Sequence, residues 1–117
     1  MHSDILLKIV QDELDERKGL QITTLDVRDK TSFTDYMVLV TGTSSRHLLS
    51  LCEHIAAKAE EKGVIPLGLE GGPSDDWVLL DIGDVIVQAM TAQAREHYQL
   101  EKLWSVDKPK EFEKQAG

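Results

Sequence analysis

Apolar residues recur at three- and four-residue spacing between Ser3 and Lys18, at Leu6, Leu7, Val10 and Leu14. That spacing predicts an amphipathic helix, with Ser3 available as its N-cap and Gly19 as its stop. Leu20 to Val27 mixes Ile22, Thr23, Thr24, Leu25 and Val27, a β-branched composition that suits an edge or half-buried strand. After a polar turn at Arg28 to Ser32, Asp35 to Thr41 is almost continuously apolar, a strand for the middle of a sheet. Leu48, Leu51, Cys52, Ile55, Ala56 and Ala59 then trace a helical stripe that Glu60-Glu61-Lys62-Gly63 closes. Val64 to Leu69, interrupted by Pro66, is expected as a weak strand parallel to the one before this helix, reached by a right-handed crossover. Glu70 to Ser74 is a loop.

Two further apolar runs, Trp77 to Leu80 and Val85 to Met90, join through Asp81-Ile82-Gly83-Asp84 and read as neighbouring strands. The two-residue period puts Trp77, Leu79 and Asp81 on one face and Val78 with Leu80 on the other. Both faces of the sheet therefore need covering, yet the pattern supplies only two substantial helices. Ala92 to Leu103 alternates charged and apolar residues without a long stripe, as a short helix or irregular cap does. The expectation is one α/β domain over residues 1–104, with a mixed sheet of about five strands and helices packed mainly on one face. Residues 105–117 have almost nothing to bury and are expected to form a mobile tail. The shortage of cover points to a protein partner.

Composition narrows the choice of partner. At 117 residues, 41% hydrophobic and 29% charged, the chain is sized and composed as a single globular domain. Thirteen basic residues against 21 acidic ones leave a net charge of −8, which opposes broad contact with a phosphate backbone. An acidic surface suits a basic protein such as those of the ribosome, and it is also a common solubility device. The lone Cys52 supports no internal disulfide framework, so a reducing, cytoplasmic location is expected. No run reaches the roughly 18 apolar residues of a membrane span. The acidic start, with Asp4, Asp12, Glu13 and Asp15, is neither a secretory signal nor a transit peptide.

Candidate chemistry is sparse. Gly42-Thr43-Ser44-Ser45 sits between a buried strand and a helix start, where free amides and the macrodipole can hold an anion, so a nucleotide site is one reading. The plainer one is that Gly42 makes the turn and Thr43 or Ser44 caps the helix, since no Walker lysine or dinucleotide glycine pattern follows. Asp81 and Asp84 could be nominated as magnesium ligands, but they flank a turn whose Gly83 suits a positive φ. His47 and His54 lie seven apart on the second helix, too few ligands for zinc. Cys52 reads as a small core residue. No catalytic residue, metal or cofactor is assigned. Among the aromatics, Tyr36 and Tyr98 are expected in the core and Trp104 as a lid over the sheet edge, whereas Trp77 is expected as an interface anchor.

Four blocks carry a resemblance: Asp35 to His47, Pro66 to Gly71, Asp76 to Val87, and Arg95 to Trp104. In this order and spacing they resemble the ribosomal silencing factor S family, also called Iojap-related. The resemblance implies a nucleotidyltransferase-like fold without its active site. It also implies a translation repressor that binds the fourteenth protein of the large ribosomal subunit and blocks joining of the small subunit when nutrients are scarce. The expected contact surface includes Trp77, Leu79, Leu80 and Asp81, with Glu70 and Gln88 as polar neighbours, although alternation puts Leu80 opposite Trp77. Gln88 stands where the family commonly carries histidine. A free homodimer could cover the same face and compete with the ribosome for it. No membrane contact and no direct nucleic-acid binding beyond peripheral ribosomal RNA are expected.

Overall fold

Residues 2–100 and 102 are described by the computed structural model. The first helix, α1 (Ser3–Glu16), buries the predicted stripe of Leu6, Val10 and Leu14. Its start lies one residue earlier than the pattern implied: the carbonyl of His2 accepts from the amides of Ile5 and Leu6, so His2 is the cap and Ser3 is already helical. Strand β1 (Leu20–Asp26) is half-buried, as its composition suggested. Gln21 turns to a φ of 49° and the register slips between Leu20 and Thr23, a bulge that swings the Gln21 carbonyl out of the ladder. Strand β2 (Tyr36–Gly42) is buried at every position. A continuous apolar run of strand length belongs in such a place, with neighbours on both edges and both faces.

Helix α2 (Ser45–Glu61) is capped by Ser44, whose hydroxyl accepts from the His47 amide at 3.1 Å. It buries Leu48, Leu51, Cys52, Ile55 and Ala59. The remaining elements are β3 (Gly68–Glu70), β4 (Trp77–Asp81), β5 (Val85–Thr91) and α3 (Ala92–Tyr98). Together they make one five-stranded mixed sheet in the order β1-β2-β5-β4-β3. Only β2 and β5 pair in parallel; the other neighbours are antiparallel.

This order corrects the placement of the short strand after α2. It starts at Gly68 rather than Val64, and although it runs in the direction of β2, β5 and β4 lie between them. The physical reason is that β4 and β5 form a tight antiparallel pair across Ile82 to Asp84, and the longer, almost wholly buried β5 takes the place beside β2. The three-residue β3, preceded by Pro66, is left at the edge, where lost ladder bonds cost least. Ile65, Leu67 and Leu69 stay exposed there.

The sheet separates two cores. On one face α1 and α2 cover Tyr36, Val38, Val40, Val78, Leu80, Val85, Val87 and Ala89. On the other, the short α3 brings Ala94 against Val27, Met37, Leu39, Ile86 and Met90, with Trp77 and Leu79 packed at the margin. Burying a large apolar side chain stabilises by about 1.5–3 kcal/mol, so the first face carries most of the folding energy. Among the described residues no helix is long and apolar enough to cross a membrane. The tail expected at 105–117 and the lid assigned to Trp104 lie outside the described residues.

Candidate partner-binding face

Register determines which of the nominated residues can meet. Antiparallel pairing sets Glu70 opposite Leu79 and Leu79 opposite Gln88, while β2 places Leu39 beside Gln88. These four form one row across the α3-side face. The adjacent row on the same face joins Trp77 to Met90 and Thr41, and the next joins Asp81 to Ile86 and Met37. Glu70, Trp77, Leu79, Asp81 and Gln88, drawn from three strands, thus share a face. Helix α3 covers its β1-β2-β5 side and leaves the β4-β3 side partly open: Trp77 and Leu79 are half-buried and Glu70 is exposed. A shallow hollow of about 320 Å³ lies there, lined by Glu70, Gly71, Trp77 and Leu79. An apolar floor with a carboxylate at its rim can take the aliphatic stem and cationic head of a lysine or arginine.

Leu80 is excluded from this set. Its side chain points to the α1-α2 face and is 0% exposed, packed in the main core. The two-residue period alone dictates this, and no partner reaches it without unfolding the sheet. Gln88 also departs from its expected role as a surface neighbour, being only 6% exposed. Its carbonyl oxygen accepts from the Trp77 indole N–H at 2.8 Å and its amide donates to the Met37 sulfur at 3.0 Å. Asp81 spends one carboxylate oxygen on the amide of Gly83 at 2.9 Å, and Gly83 holds a φ of 94°. Asp81 is thereby a turn-former.

The Gly42 to Ser45 loop is built for closure. A Cβ on Gly42 would sit 2.5 Å from Leu48 Cδ2, so only glycine lets the helix pack so near the strand end. The Thr43 amide donates to Nδ1 of His47 at 3.0 Å, while Nε2 of the same ring lies 3.0 Å from the carbonyl of Arg17. A ring that accepts at Nδ1 can donate at Nε2, so His47 is a strut between the start of α2 and the end of α1. The Thr43 amide and the Ser44 hydroxyl are engaged within the chain, one in the strut and the other as helix cap. Cys52 is buried in the core, and burial pushes its thiol up to about 12. Among the described residues no three His, Cys, Asp or Glu side chains gather as a metal site.

Two residues escaped the sequence reading. Tyr98, expected in the core, is exposed and stands with its ring 4.6 Å from that of Trp77, tilted by 47°. Arg95 is buried under α3, where its guanidinium donates to the Gln21 carbonyl and to the hydroxyls of Thr41 at 3.1 Å and Thr23 at 2.8 Å. The only signal for Arg95 is an arginine on a helix beside threonines on strands far away in sequence, and charged residues default to the surface.

With the geometry in hand, comparison with known proteins is direct. The family described as ribosomal silencing factor during starvation matches residues 1–116. The ribosomal silencing factor of Haemophilus influenzae is 41% identical over 100 residues, spanning 86% of this chain and 98% of that protein. A Mus musculus protein named mitochondrial assembly of ribosomal large subunit protein 1 is 29% identical over 110 residues, 88% of this chain and 45% of its own length. A crystal structure of a Chromobacterium violaceum protein superposes with a TM-score of 0.86 at 37% identity, covering 93% of this chain and 91% of that one. Family match, sequence identity and overall superposition agree, and the chain belongs to the ribosomal silencing factor family.

Proposed function

We propose that this chain represses translation in the cytoplasm, without chemistry of its own, by binding the large ribosomal subunit through its fourteenth protein and sterically excluding the small subunit. The observation that carries the reading is the half-open apolar face bearing Trp77 and Leu79, with Glu70 and Asp81 at its margin. Tryptophan in a partly desolvated setting is the kind of residue that dominates interface energies. Carboxylates around it, on a chain of net charge −8, favour a basic protein surface and speed its capture. Family membership supports the ribosomal assignment, and the mouse relative's name couples that protein to the large subunit. In the free protein a second copy is proposed to cover the same face, so dimer and ribosome compete.

Co-sedimentation with separated ribosomal subunits tests this. The parent is expected to pellet with the large subunit and not the small one, Trp77→Glu to lose most of that association, and Asp81→Arg to be weakened by charge reversal. Equal pelleting of all three with the large subunit would discard the proposed surface. Failure of the parent to pellet would discard the function.

A further inference from the structure

Gln88 is an uncharged amide set among Leu39, Met37, Leu79, Ile86 and Met90 in the central strand of the sheet. A buried amide without partners is costly, so its two hydrogen bonds determine what it does there. The indole N–H is a donor only, which fixes the amide oxygen toward Trp77 and the nitrogen toward Met37. Trp77 pairs across the ladder with Met90 and not with Gln88, whose partner is Leu79. The indole therefore reaches along the sheet to the diagonal position, within range of a long side chain. Tyr98 restrains the same ring from α3.

We infer that Gln88 is a positioning residue for the ribosome-binding face: it makes no contact with the partner itself but holds the Trp77 indole in one orientation before binding. This rests on the reading of Trp77 as the interface anchor. An unrestrained ring would have to be ordered during association, and ordering one such side chain weakens binding by about threefold to tenfold. Histidine, which can also present an acceptor nitrogen from this position, is expected to fill the same role.

The test uses the full chain with Trp104→Phe, so that a single indole signal remains. Hydrogen exchange of the Trp77 indole N–H is followed by NMR in the free protein, and affinity for isolated large subunits is measured by co-sedimentation. Gln88→Met keeps the volume and replaces the amide oxygen by a thioether sulfur, a much weaker acceptor. It is expected to lose indole protection, keep backbone amide protection in β5, and bind about threefold to tenfold more weakly. Gln88→His is expected to stay protected and to bind close to the parent. In a Trp77→Phe background, Gln88→Met is expected to cause no further loss, because the residue acts only through the indole. Should Gln88→Met not fold, Gln88→Asn, whose shorter amide falls short of the ring, is read in the same way. Unchanged binding after indole protection is lost overturns the positioning role and leaves the binding face standing. Equal weakening with and without the indole overturns it too, since Gln88 would then act by its own contact. A parent that does not pellet with large subunits removes the ribosomal reading and the positioning role together, whatever the indole signal.

Discussion

The two faces of this sheet are both apolar, yet they are finished in different ways. Under α1 and α2 the side chains are almost wholly hydrocarbon, and two helices of 14 and 17 residues seal them. Under α3, a helix of only seven residues, polar groups stand within the apolar layer: Gln88 with Trp77 and Met37, and Arg95 with Thr23, Thr41 and the bulged carbonyl of Gln21. Packing without direction suits a face whose task is to hold the fold together. Directional bonds suit a face that must present particular atoms outward while only part of it is covered. On the proposed reading, the difference separates stability from recognition within one sheet.

Truncating the sealed face gives the largest effect. Leu80→Ala removes a fully buried side chain from the main core and is expected to cost about 2–5 kcal/mol in urea unfolding. Below its unfolding transition it is expected to pellet with large subunits like the parent, because Leu80 faces away from Trp77. Loss of binding by the folded variant would erase the distinction between the faces. Arg95→Met comes next. It removes the charged donor from the buried Thr41 hydroxyl and from the part-buried Thr23 hydroxyl and Gln21 carbonyl while keeping the aliphatic stem, and leaving a buried acceptor unpaired costs about 1–3 kcal/mol. Its distinguishing sign is local: α3 amides are expected to lose exchange protection before those of α2 do. Simultaneous loss in both helices would mean that Arg95 supports the whole fold and not one face.

Much of this division is legible from the chain. The unbroken run Tyr36 to Thr41 announces a strand covered on both sides, and the stripe from Leu48 to Ala59 announces the helix that covers one of them. Period-two alternation puts Leu80 on the sealed face, where it lies, against its inclusion in the expected contact surface. What alternation does not encode is neighbourhood. The parallel partner of β2 is β5, more than 40 residues later, with β4 on the other edge of β5. For the same reason the Trp77-Gln88 bond was invisible: it joins diagonal positions, which exist only once register is fixed. Arg95 was missed because its acceptors come from β1 and β2, and one of them is created by a bulge.

The smallest expected effect concerns the rim of the sealed face. Asp26 pairs with Arg28, whose guanidinium lies 5.2 Å over the ring of Tyr36, and the Tyr36 hydroxyl donates to Asp4 of α1 at 2.9 Å. The hydrogen bonds from Arg28 hold the Asp26 carboxyl down at about 2, below its ordinary 3.8. A carboxyl lowered on folding adds stability that is fully present above the ordinary value and disappears as pH falls from about 4 toward 2. Both side chains are half exposed, so water and salt screen the pair and the contribution is small. Urea midpoints of the parent should therefore decline slightly more than those of Asp26→Asn across this window, with the difference shrinking in high salt. The Trp77-Gln88 contact has no titratable member, so indole protection on the other face is expected to stay constant as pH falls from about 4 toward 2 while the rim weakens. Protection that falls in step with the Asp26 titration would show that the faces are coupled through β1 and β2, and the separation of stability from recognition would fail at its weakest point.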